Sequence, residues 1–204
     1  MANAALEWLV GRWQWPAAAL FTAIALTLLL PVWYADAGVV TIAVVLQLPL
    51  YMFHQYEEHH GNRFVVYFNR VMGGGYDVLT PMSAFAINSV GVWGVIFVSI
   101  LLCRFVSPGY GTIATDLCLV NALTHAQLAV RRREYNPGLW TALLLFVPFG
   151  GAGLYIVSTL GHATIAQQTA GALVAIAIHA GIVVYVQRRK TMLAANSIAA
   201  SYCG

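Results

Sequence analysis

Apolar residues run along this chain in six long blocks, separated by short polar or turn-forming segments. The blocks are Pro16 to Trp33, Gly38 to Glu57, Met82 to Phe105, Gly111 to Val130, Leu139 to Leu160 and Ile165 to Val186. Each is near the ~20 residues an α-helix needs to cross the hydrocarbon of a bilayer. The breaks carry helix-ending chemistry: Asp36 and Gly38, Ser107-Pro108-Gly109, Asn136-Pro137-Gly138, and a tight Gly161-His162 link. Proline removes a backbone donor and glycine accepts dihedrals that other residues avoid. The pattern predicts an all-α fold, a polytopic bundle of six transmembrane helices in a single domain over residues 1–204. Gly94, Gly151 and Gly153 are expected to let neighbouring helices approach closely.

The longest connection runs from Gly61 to Pro81. Its Arg63-Phe64-Val65-Val66-Tyr67-Phe68 run and Arg70 mix aromatics with two cations. Such a segment suits a short interfacial helix between the second and third spans, at the headgroup level. The alternative is a connector that happens to be apolar.

Composition narrows the classes. Of 204 residues, 60% are hydrophobic and 8% are charged, against roughly 25% charged in soluble domains. Mean hydropathy is +0.75. A chain of this size cannot hide that much apolar surface in one water-soluble core. A soluble enzyme, a disordered chain and a nucleic-acid binder are therefore excluded. Cys103, Cys118 and Cys203 show no paired spacing, so neither a disulfide framework nor a zinc ribbon is indicated.

Charge sets the expected orientation. With six spans, Arg12, Arg63, Arg70, Arg131, Arg132, Arg133, Arg188, Arg189 and Lys190 fall on one side, and Arg104 alone falls on the other. Cytoplasmic loops collect Lys and Arg, so both termini are expected to be cytoplasmic. Trp13, Trp15 and Trp33 read as members of an interfacial aromatic belt.

Ionisable residues within a bilayer are costly and usually functional. The second block ends in His54, Glu57 and Glu58, followed by His59 and His60. Positions i, i+3 and i+4 share a helix face, so His54, Glu57 and Glu58 are expected to point together into the bundle, with Gln47 on the same stripe. Asn121 and His125 share a face of the fourth block, His179 lies in the sixth, and Asn88 lies in the third. At a rise of ~1.5 Å per residue, Glu57 and His125 lie about 9 Å from their flanking arginines, and His54 and His179 about 13 to 14 Å. Imidazoles and carboxylates from three helices thus share one layer.

That inventory suits a divalent metal, zinc or iron, since both accept imidazole nitrogen and carboxylate oxygen. The expected ligands are His54, His125 and His179 with one of Glu57 or Glu58, the other glutamate serving as general base. Asn121 would orient a ligand or donate to an oxyanion. His59 and His60 are either extra ligands or interfacial residues. The leading function is a membrane enzyme that hydrolyses a lipid-like or amphipathic substrate, entering from the cytoplasmic leaflet, with metal-activated water. Non-heme iron oxidation, metal-independent Glu/His acid–base chemistry and proton or metal transport are the alternatives. Transport is disfavoured by the short chain and the lack of an internal repeat. Expected partners are membrane lipid and a lipid-like small molecule, with no nucleic acid.

His54-Gln55-Tyr56-Glu57-Glu58 resembles the signature of the HXXEE family of small integral membrane proteins. Asn121-Ala122-Leu123-Thr124-His125 resembles that family's Asn and His four apart. Arg133-Glu134-Tyr135-Asn136-Pro137-Gly138, followed by Thr141, resembles its arginine, tyrosine and proline-glycine turn. The resemblance covers roughly Gln47 to Gly151. It implies enzymatic chemistry at the His and Glu residues and no particular reaction.

Overall fold

The computed structural model describes Ala4, Glu7 and residues 14–202, without the side chains of residues 199–202. Arg12, Trp13 and Cys203 lie outside the described residues. Helix α1 spans Trp15–Val45 and α2 spans Gln47–His59. A tight turn over His60–Asn62 leads into α3, Arg63–Val71. The remaining helices are α4, Pro81–Phe105, α5, Thr112–Arg132, α6, Leu139–Thr159, and α7, Ile165–Tyr202. The short helix expected between the second and third apolar blocks is present as α3. Thr80 opens α4 with a reciprocal cap: its hydroxyl accepts from the Ser83 amide, and the Ser83 hydroxyl accepts from the Thr80 amide.

The first two apolar blocks meet at Gly38 with no loop between them. With Trp15–Val71 counted as one stretch, five helical stretches among the described residues are long and apolar enough to cross a membrane. Gly38, with a φ of 72° and a ψ of 167°, is non-helical and divides the stretch Trp15–Val71 into two helices. The bend is sharp enough to fold the chain back on itself. The rings of Trp15 and His59 lie 5.1 Å apart, whereas a straight helix would hold them about 66 Å apart. Trp15 also meets Phe85 and Trp93 edge-on at 5.8 Å and 6.5 Å. It is buried, which corrects its assignment to an aromatic belt.

Helix α5 lies at the centre and packs against α2, α4, α6 and α7. Val44, Tyr51, Ile96, Leu117 and Phe146 fill the core around it. The outward faces stay apolar: Phe21 is 71% exposed, Phe105 77% and Ile165 84%. Exposed apolar surface on that scale suits lipid and not water. Gly153 does serve close packing, since a Cβ there would lie 2.9 Å from Gln47 Nε2. Gly94 and Gly151 do not, because a Cβ at either would meet nothing within 4 Å.

Cations gather at one end of the bundle. Arg132 donates to the Val71 carbonyl at 3.1 Å, Lys190 to that of Met72 at 3.1 Å and Arg189 to that of Asp77 at 3.0 Å. Arg70 pairs with Glu134 at 3.2 Å. Two helices thus stitch down the segment that follows α3. Arg104 lies elsewhere, beside a cleft shared with Ala37, Gly38 and Pro108.

Candidate metal centre

Three side chains from two helices converge at the end of α2 near α5. His54 Nε2 lies 3.6 Å from Glu58 Oε2, and His125 Nε2 lies 3.5 Å from Glu58 Oε1. One ligand atom from each of the three lies within 4.8 Å of the others. All are buried, with exposures of 0% for His54 and 5% for Glu58 and His125. Ligands on a common tetrahedral zinc, at about 2.0–2.1 Å from the ion, stand about 3.3–3.4 Å apart. The observed separations are of that size.

Hydrogen bonds orient both imidazoles. Thr141 Oγ1 donates to Glu57 Oε2 at 2.6 Å, which commits its only proton. It must then accept from His54 Nδ1, 2.9 Å away. That places the His54 proton on Nδ1 and leaves Nε2 as a lone pair, buried and without a hydrogen-bond partner. Asn136 does the same for His125. Its Nδ2 donates to the His125 carbonyl at 3.0 Å, so its Oδ1 accepts from His125 Nδ1. Both Nε2 atoms therefore face the Glu58 carboxylate. A metal ion among them, or a proton on an imidazole Nε2, would balance this carboxylate. Fixing a ligand through its other ring nitrogen is how proteins prepare histidines for metals.

The close approach also depends on Gly138. Its φ is +96°, and a Cβ there would fall 2.7 Å from His54 Cε1 and 2.8 Å from His125 Cε1. A side chain at this position would push the two imidazoles apart.

Glu57 is placed differently from the sequence expectation. One helical step of about 100° turns it away from its neighbour. Its carboxylate accepts from the Thr141 amide at 2.7 Å, the Trp140 amide at 3.2 Å and the Tyr135 hydroxyl at 2.7 Å, besides the Thr141 hydroxyl. It thus caps the first turn of α6, where unpaired amides favour an anion. Burial, and then the bond to Glu57, push the Tyr135 phenol up to about 12. Glu57 thus caps α6 and stands outside the three-residue group.

His59 is buried against Glu58, with Nε2 to Oε2 at 3.0 Å. It ends a chain of bonds whose direction the Trp93 indole fixes, because an indole N–H can only donate. Trp93 Nε1 donates to Gln55 Oε1 at 2.6 Å, Gln55 Nε2 to Asn88 Oδ1 at 2.9 Å, and Asn88 Nδ2 to His59 Nε2 at 2.9 Å. His60 is exposed. Gln47 is fully buried, donating to the Ala43 carbonyl at 2.8 Å, and stands outside the three-residue group.

Beside the cluster opens a cavity of about 430 Å³, with Glu58, His125, Asn121 and His179 on its wall. His179 Nδ1 donates to the Ala175 carbonyl of its own helix at 2.8 Å, so it borders the cavity without joining the three ligand atoms. Asn121 Nδ2 donates to the Tyr51 hydroxyl at 2.8 Å, and its Oδ1 is buried without a partner. Asn136, Gly138, Thr141 and Tyr51 escape a reading of the sequence by charge alone. Asn136 and Gly138 present themselves as a helix-ending turn, and Thr141 enters only through the family motif.

No curated protein and no solved structure shows significant similarity to the chain. The family model described as "Protein of unknown function with HXXEE motif" matches residues 45–152. The matched stretch holds His54, Glu58 and His125 together with Glu57, Asn136, Gly138 and Thr141, while His179 lies beyond it. With its signature residues built into the buried cluster and its caps, the chain belongs to the HXXEE family.

Proposed function

We propose that this protein is an integral membrane enzyme in which His54, Glu58 and His125 hold a divalent metal, and that it hydrolyses a lipid-like substrate. One observation carries the reading: two imidazoles, each held at its Nδ1, turn their Nε2 atoms onto one buried carboxylate at the wall of a largely apolar cavity. Two histidines and a glutamate are a known catalytic zinc set with a position open for water. Bound there, the ion would lower the pKa of water to near neutrality. For an ester, the water oxygen bonds to the acyl carbon, the acyl–oxygen bond breaks, and acid and alcohol leave. Tyr51 and Asn121 stand beside the carboxylate as polar contacts for the substrate.

The membrane placement follows the same logic. The fold-back at Gly38 supports six passages through the bilayer, two of them within Trp15–Val71. The gathering of Arg70, Arg132, Arg189 and Lys190 at one end supports cytoplasmic termini.

Non-heme iron oxidation is the second reading, because two histidines and one carboxylate also form the facial triad of iron oxygenases. Metal analysis of the purified protein tests both. We expect about one ion per chain in the wild type, and its loss in His54→Ala, Glu58→Gln and His125→Ala. Zinc supports hydrolysis, and iron supports oxidation. Equal content in the wild type and all three variants overturns the metal site.

A further inference from the structure

The cavity has a polar wall at the cluster and a cation at its far end. Along α5 it runs from Asn121 past His125 to Arg131 and Arg132. Between them its walls are mostly apolar, with Phe64 and Phe68 from α3, Ile87 from α4, and Ile178 and Ile182 from α7, beside the polar Thr124 and Gln127 of α5. Its volume of about 430 Å³ lies in the lower half of the range for small-molecule pockets, about 300–1,000 Å³. That is room for one slender chain.

The two arginines at the far end differ. Arg132 is engaged with the Val71 carbonyl. Arg131 is exposed and makes no hydrogen bond or ion pair with the described residues. Arg133 and Arg188 are equally unengaged, yet neither lines the cavity. A guanidinium left open at the mouth of an apolar cavity complements a phosphate or carboxylate.

We infer that the cavity takes a single-chain amphiphile with an anionic headgroup, held by Arg131 while its chain lies along α5 toward the metal ligands. This rests on the reading of the cluster as the reacting centre, and it narrows the substrate. Six residues of helix separate His125 from Arg131, about 9 Å. The bond presented to the cluster is therefore inside the amphiphile, and the anionic group is a handle that stays uncleaved.

The test compares hexadecyl phosphate with hexadecylphosphocholine, which share a chain and differ in net charge. Binding of each to the full-length protein in neutral detergent is measured at fixed ionic strength. The wild type is expected to prefer the phosphate by about tenfold, as for a hydrogen bond to a charged group. Arg131→Gln abolishes that preference, and Arg131→Lys retains part of it. Arg133→Gln makes the same change in net charge and keeps the preference whole. Equal binding of both probes by the wild type, or an equal effect of Arg131→Gln and Arg133→Gln, overturns the proposal. Binding is read without turnover, so the two ideas fail separately. A protein that carries no metal but keeps the Arg131-dependent preference sinks the metal reading alone.

Discussion

Glu57 and Glu58 are chain neighbours with different partners. The Glu58 carboxylate lies 3.5 Å from His125 Nε2 and 3.6 Å from His54 Nε2. That of Glu57 accepts the Thr141 amide at 2.7 Å and the Thr141 hydroxyl at 2.6 Å. The first carboxylate faces the two Nε2 atoms, and the second positions the hydroxyl that holds His54. Glu58→Gln should therefore remove the bound ion, whereas Glu57→Gln should weaken affinity by about 10- to 100-fold. Competition against a chromophoric chelator checks the order of the two effects, and the reverse order would refute it.

Asn136 is fully buried and clamps His125 through both ends of its amide. Asn136→Ala orphans the buried ring N–H, at about 1–3 kcal/mol, and removes a second bond to a carbonyl that keeps its helical partner. Asn136→Asp still accepts from Nδ1 but cannot donate to the carbonyl. The alanine variant should lose stability and metal affinity together. The aspartate variant should lose stability and keep most of its affinity. Denaturant unfolding in detergent, run beside metal titration, separates these outcomes.

Thr141→Val removes the acceptor of the His54 N–H and one donor to Glu57. Its metal affinity should fall by about 10- to 100-fold, while Thr141→Ser, which keeps the hydroxyl, should stay near the wild type. A serine variant as weak as the valine one would mean that the methyl contact matters and the hydroxyl does not.

Gly138→Ala combines a positive φ with contacts of 2.7 Å and 2.8 Å to the two imidazoles. It should cost more than about 1 kcal/mol and displace the ion as well. Gly94→Ala, with nothing within 4 Å, should be neutral or gain up to about 1 kcal/mol from helix propensity. Thermal unfolding with and without added zinc reads both effects.

The Tyr135 phenol, pushed up to about 12, gives a pH signature. Its folded value exceeds the usual one of about 10, so its neutral form is the one the fold favours. The stability it contributes is complete below about pH 10 and is lost as pH rises toward 12. Tyrosinate absorbance of the wild type minus that of Tyr135→Phe should titrate close to pH 12. A difference titrating near pH 10 would dissolve the link to Glu57.

Much of this was open to reading from the chain. Apolar blocks identify the helices because nothing but lipid or another helix can cover such faces. Spacing and depth place His54, Glu58 and His125 in one layer, but by the same rule Glu57 and His179 as well, which stand outside the three-residue group. Two things stayed hidden. The break at Gly38 was legible, but not that a single residue would turn the chain there with no loop. Glu57 and Glu58 are indistinguishable by type and depth, and only the arrival of the first turn of α6 decides which one becomes a cap. Asn136 and Thr141 escaped for a related reason. A neutral polar residue near a turn carries no signal until its partner histidine is placed.

The backbone at Gly138 seals one side of the imidazole pair, leaving the cavity as the doorway to Glu58 and His125. Whatever occupies that doorway would guard an ion bound behind it. A chelator and an amphiphile must then queue for the same passage, so a filled cavity should slow metal stripping even if it never touches the metal.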